Sequence, residues 1–170
     1  GEVLVFGASG SGAMDSAVAN LAASGERALV ASCGNFGVRW ASICADHGVD
    51  VLHLEGEWGR PIDPAAVAEA LSGERGIDVV FVTQSETSTG VVSDLPALRE
   101  AAGDRILVAD AVSGLGVADL PMDRWGVDVV VSGSQKGLMT PPGLAFVAAN
   151  ERAVARSASL GPGGFYLDWE

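Results

Sequence analysis

The chain has 170 residues, 48% of them apolar and 19% charged, which suits one globular domain with a real core and excludes a disordered chain. Its formal net charge of −12 argues against nucleic acid or an anionic membrane as a partner. Glycine, at 23 residues, predicts many tight loops and close backbone approaches.

No run is long enough to span a bilayer, and no signal peptide is visible. Cys33 and Cys44 have no metal-ligand spacing, so the expectation is two reduced thiols, no metal site and a cytoplasmic location. The chain begins at Gly1, without methionine and directly in a strand-like run. It reads as a piece of a longer protein.

Val3-Leu4-Val5-Phe6 predicts a buried strand. Gly7-Ala8-Ser9-Gly10-Ser11-Gly12 follows, then a helix over 13–21 with Gly25 as its stop. Strand, glycine-rich turn and helix N-terminus form a phosphate cradle, because free backbone N–H groups and the helix dipole face an anion together. A dinucleotide site would want an acid at the end of the second strand. That strand, Ala28-Leu29-Val30-Ala31, ends in Ser32-Cys33-Gly34-Asn35 instead. A plain glycine-rich connection is the remaining alternative.

Gly34-Asn35-Phe36-Gly37 leads into a helix through Trp40 and Cys44, with His47-Gly48 as its C-terminal cap. Phe36 stands between glycines at a strand end, where a ring can meet a ligand; core packing is the ordinary alternative. Residues 49–54 alternate as a strand whose His53 reads as structural. A loop with Trp58 follows. Asp63-Pro64 then starts a helix to Leu71 by N-cap and N1 logic.

Val79-Val80-Phe81-Val82 is the next buried strand, and it ends in the hydroxyl-rich loop Thr83-Gln84-Ser85-Glu86-Thr87-Ser88-Thr89-Gly90. After a helix over 96–102, Ile106-Leu107-Val108-Ala109 forms another strand ending in Asp110. A carboxylate directly after an apolar strand needs a partner or a metal; an N-cap role is the alternative. Val127-Asp128-Val129-Val130-Val131 is a further strand, and Ser132-Gly133-Ser134-Gln135-Lys136-Gly137 hangs from its end. Parallel α/β sheets keep their ligand sites at such ends. A lysine there suits imine chemistry, although most lysines are simply solvated. Leu144-Ala145-Phe146-Val147 follows too soon for a parallel crossover and is expected antiparallel. A helix starts at Glu151, and the tail reads as an exit toward further chain.

Strand ends thus carry a phosphate cradle, an aromatic ring, a carboxylate and a lysine. Pyridoxal 5′-phosphate asks for this set: a lysine for its aldehyde, a carboxylate for its ring nitrogen, a flat side chain for its ring and backbone donors for its phosphate.

At these residues the sequence closely resembles the class V aminotransferases, the alanine–glyoxylate and serine–pyruvate group. The matching stretches are Ser9-Gly10-Ser11-Gly12-Ala13-Met14, Asn35-Phe36-Gly37-Val38-Arg39-Trp40, Glu57-Trp58-Gly59, Glu86-Thr87-Ser88-Thr89-Gly90, 108–113 and 132–136. Pro141-Pro142-Gly143 and Phe165-Tyr166-Leu167-Asp168 also match. The resemblance implies a three-layer α/β/α sandwich with a mainly parallel seven-stranded sheet, the large cofactor-binding domain of fold type I. Residues 1–170 would be that domain, without its N-terminal arm and small C-terminal domain.

The same resemblance makes Lys136 the internal aldimine lysine and Asp110 the partner of the ring nitrogen. Phe36 would stack on the ring. Ser9, Gly10 and Ser11 would hold the phosphate with Gln135 nearby, and Thr87 would contact the cofactor. The implied reaction passes an amino group from alanine, serine or a similar amino acid to a keto acid such as glyoxylate or pyruvate, in a homodimer. The span alone is expected to be inactive, since the family's substrate-gripping arginine lies outside it. A class V desulfurase or lyase is disfavoured, because those relatives place histidines where Phe36 and Gln135 stand. A non-catalytic nucleotide- or phosphate-binding module is the other alternative, and Lys136 with Asp110 argues against it.

Overall fold

The computed structural model describes residues 1–169. Its strands are β1 (Glu2–Phe6), β2 (Arg27–Ser32), β3 (Asp50–Glu55), β4 (Ile77–Thr83), β5 (Ser85–Glu86), β6 (Val91–Val92), β7 (Ile106–Asp110), β8 (Val129–Gly133) and β9 (Ala145–Ala149). Its helices are α1 (Gly10–Leu21), α2 (Asn35–Asp46), α3 (Pro64–Leu71), α4 (Leu95–Ala102), α5 (Met122–Trp125) and α6 (Glu151–Leu160).

Seven strands form one sheet in the order β1-β9-β8-β7-β4-β2-β3. Neighbours from β3 through β2, β4 and β7 to β8 pair parallel. As the short connection predicts, β9 runs antiparallel to β8, and β1 pairs antiparallel to β9. The chain is therefore a mainly parallel α/β sheet.

Both faces of the central strands are covered, so their sequences are nearly all apolar rather than alternating. In β4, Val79 and Phe81 join a core built with α1, α2 and α6, where Trp40 lies 4.8 Å from the Phe81 ring. Val80 and Val82 point the other way, into a core built with Leu95 and Leu98 of α4 and Val67 of α3. The result is three layers: helices, sheet, helices.

The caps follow the sequence. Asp63 accepts the Ala65 N–H at 2.9 Å with Pro64 in the first turn, and His47 ends α2 before Gly48 in the left-handed region. Three differences matter. Helix α1 begins at Gly10, not residue 13, so the glycine-rich stretch is itself the first helical turn. The hydroxyl-rich loop folds into a small hairpin, β5 against β6. The tail to residue 169 packs back on α1: Trp169 is buried and its indole N–H donates to Ser16 Oγ at 2.9 Å. Cys33 and Cys44 are buried free thiols, and burial pushes Cys44 up to about 12. Among the described residues, no helix is long and apolar enough to cross a membrane.

Candidate active site

Parallel packing brings the C-terminal ends of β2, β4, β7 and β8 to one edge, and α1 starts at the same edge. There Ser9, Gly10, Ser11, Met14, Phe36, Arg39, Asp110, Val112, Gln135 and Lys136 line one hollow. Of the residues singled out from sequence, only Thr87 is absent from that lining.

Ser9 is the N-cap of α1, and its side chain makes no capping bond. The N–H groups of the first turn have no partner within the helix, so they face the hollow with the positive end of the helix dipole. Gly10 is required by space. A side-chain carbon there would lie 2.6 Å from Val112 Cγ2.

Asp110 ends β7, the central strand of the sheet, between β8 and β4. It is 4% exposed, and its Oδ1 accepts the Val112 N–H at 2.8 Å. Burial pushes its carboxyl up to about 6. The Val112 N–H works against that rise, the Glu86 charge adds to it, and Arg39 and Lys136 oppose it. The carboxylate thus sits where a cationic partner would be strongly favoured.

Lys136 lies three residues beyond β8 and is exposed. Its loop is braced by Ser134, whose Oγ donates to the Pro141 carbonyl at 2.7 Å and whose carbonyl accepts from Thr140 Oγ1 at 2.8 Å. The amine therefore hangs from an ordered turn rather than a loose arm.

Two contributors escaped the sequence reading. Arg39 stands 4.7 Å from the centroid of the Phe36 ring and donates to Ser11 Oγ at 2.7 Å. It links the ring to the cradle. The second is Glu86, fully buried, whose Oε2 accepts the N–H groups of Phe36 at 3.0 Å and Gly37 at 2.9 Å. Its other oxygen accepts Ser88 N–H at 3.1 Å and Ser88 Oγ at 2.6 Å. A charged residue within a hydroxyl-rich loop at a buried strand end was the available signal, because such a group must find donors.

Thr87 occupies the far side of Lys136. Its hydroxyl meets Ser113 Oγ at 2.6 Å, and both line a second hollow with Gly116, Val117, Gly137 and Met139. Lys136 lines both hollows. A larger cleft lies at the opposite edge of the sheet, lined by Arg105, Arg152 and Arg156. Those arginines hold backbone carbonyls and carboxylates of the fold, which gives them structural work.

The family model described as aminotransferase class-V matches residues 2–169. A protein named soluble hydrogenase, small subunit, from Synechococcus sp. is 42% identical over 98% of this chain and 45% of its own length. Serine–glyoxylate aminotransferase of Hyphomicrobium methylovorum is 39% identical over 91% of this chain and 40% of its own. Among solved structures, an aspartate aminotransferase of subgroup IV from Thermus thermophilus superposes with a TM-score of 0.89 at 42% identity, covering 99% of this chain and 47% of that one. The chain spans about half the length of the relatives it matches.

Proposed function

Since the chain belongs to the class-V aminotransferase family, we propose that residues 1–170 are the cofactor-binding large domain of a longer pyridoxal-phosphate-dependent aminotransferase. One observation carries the reading: Lys136, Asp110, Phe36 and the first turn of α1 converge on one hollow.

The residues suit that cofactor. The α1 N-terminus offers backbone donors to a phosphate, and Gly10 leaves no side chain in their way. A buried carboxylate raised to about 6 calls for a cation, which a protonated ring nitrogen supplies. Phe36 offers a flat apolar face, and Lys136 offers an amine on a braced loop.

When bound, pyridoxal phosphate supplies an aldehyde that condenses with amines and a ring that draws electrons from the substrate α-carbon. The side chains do the rest. Lys136 Nζ would hold the cofactor at its aldehyde end. Its amine, when free, would move a proton from the substrate α-carbon to the former aldehyde carbon, as a general base and then a general acid. Asp110 would keep the ring nitrogen protonated. Phe36 holds the ring plane and keeps water from that face. Ser9, Gly10, Ser11 and Gln135 anchor the phosphate end.

The substrates would be a small amino acid, alanine or serine, and a keto acid such as glyoxylate or pyruvate. The longer protein would work as a homodimer. The test is transamination by that protein with each donor and acceptor pair, beside residues 1–170 alone. Turnover by the longer protein with a much slower rate from the span supports the reading. No pyridoxal-phosphate-dependent turnover with any pair would reject it.

A further inference from the structure

We propose that Glu86 is a positioning residue of this site: its buried carboxylate fixes the start of α2, and with it the Phe36 ring, across the hollow from Asp110. The inference rests on the pyridoxal phosphate reading above.

Helix α2 starts without a cap of its own. Its N-cap is Gly34, which has no side chain to accept an amide N–H. The amides of Phe36 and Gly37 would be orphaned. Glu86 supplies the missing acceptor from 50 residues away, with one oxygen serving both N–H groups. The other oxygen is held by Ser88, whose Oγ in turn accepts the Asn35 N–H at 2.9 Å. Three successive amides, Asn35, Phe36 and Gly37, are therefore tied to the loop after β4.

The fit leaves no slack. A side-chain carbon on Gly34 would lie 2.4 Å from Glu86 Cγ. The carboxylate is fully buried, so its donors are not shared with water. Where Phe36 sits is decided by this pair of bonds, because its own amide is one of the two donors. A ring that must lie flat against a ligand gains from such a fixed backbone.

The charge has a second effect. Asp110 is faced by Glu86 from the loop after β4, Arg39 from α2, Lys136 after β8 and the Val112 N–H. Glu86 is the negative group among them. It holds the Asp110 proton more tightly and adds to the pull on a cationic ring.

An ordinary helix cap would do neither. Asp94 offers the comparison: its Oδ1 accepts the Ala97 N–H at 3.1 Å at the start of α4, away from the hollow. The experiment uses the longest natural form of the protein and titrates it with pyridoxal phosphate across pH, following the visible band and thermal melting together. The variants are Glu86→Gln, Ser88→Ala and Asp94→Ala.

Glu86→Gln should weaken pyridoxal phosphate binding roughly tenfold, as expected for a lost charge-assisted bond, and lower the pH midpoint of uptake. Ser88→Ala keeps the charge, so it should weaken binding by a few fold with an unmoved midpoint. Asp94→Ala should lower the melting temperature and leave affinity and midpoint as in the parent. If Glu86→Gln does not fold, the Ser88→Ala result decides: parent-like affinity there overturns the inference. Parent affinity and midpoint in a folded Glu86→Gln overturn it too, and would make Glu86 a cap and nothing more. Failure of the parent itself to bind pyridoxal phosphate would instead overturn the functional reading, a separate and visible outcome.

Discussion

Gly133 and Gly10 meet backbone to backbone: a side-chain carbon added to Gly133 would lie 3.2 Å from the Gly10 amide nitrogen and 3.4 Å from its Cα. The strand that leads to Lys136 and the helix that starts the anion cradle therefore touch directly. That contact sets how far the lysine stands from the cradle.

The first prediction concerns the other neighbour of Gly10, Val112 in the turn after β7. Gly10→Ala pushes a methyl group to 2.6 Å from the short, branched Val112 side chain. Overpacking of this kind costs about 1–3 kcal/mol. We expect a lower melting temperature and weaker binding of inorganic phosphate in the same variant. Parent values for both would show that α1 and the Val112 turn can part without consequence.

Lys136 is the only lysine among the 170 residues. Borohydride reduction of this span with pyridoxal phosphate should therefore place the label on one peptide, that of residues containing Lys136. Lys136→Arg should take no label and lose nearly all transamination in the longer protein. A label on the N-terminal amine alone, or full activity in the variant, would refute the assignment.

Asp110 makes stability pH-dependent in a stated direction. Its folded value of about 6 exceeds the ordinary value of 3.8. The unfolded chain releases this proton first as pH rises, so stability is greatest at low pH in this respect. It falls by on the order of 3 kcal/mol as pH rises from about 4 to about 6, then levels off. Asp110→Asn removes that slope and should be more stable than the parent near pH 7, while losing most turnover. Urea unfolding at a series of pH values measures it. A slope that survives in the variant would assign it to another group.

Arg39 should tell a phosphate from its absence. Its guanidinium already donates to Ser11 Oγ at 2.7 Å, at the mouth of the cradle. A phosphate there would gain a charge-assisted bond, about 1.5–3 kcal/mol. Arg39→Ala should weaken pyridoxal phosphate at least tenfold and leave phosphate-free pyridoxal nearly unchanged. Equal losses for both would mean that the residue supports the Phe36 ring and not the anion.

By itself the sequence determined the frame and its main chemical groups. Runs such as Val79–Val82 and Ile106–Ala109 are apolar on both faces, and only a covered parallel sheet satisfies them. Asp110 and Lys136 were legible because each interrupts the chain just past such a run. Tertiary structure decided which strand ends stand side by side. Strand β2 pairs with β4, and β4 with β7, an order no local pattern encodes. From that order came the Glu86 cap on α2, the Arg39 link to Ser11, and the placing of Thr87 beyond Lys136. These contacts join residues 26 to 50 positions apart. Burial periodicity says which face of an element is covered, but a hydrogen bond across elements exists only once the sheet has set its neighbours.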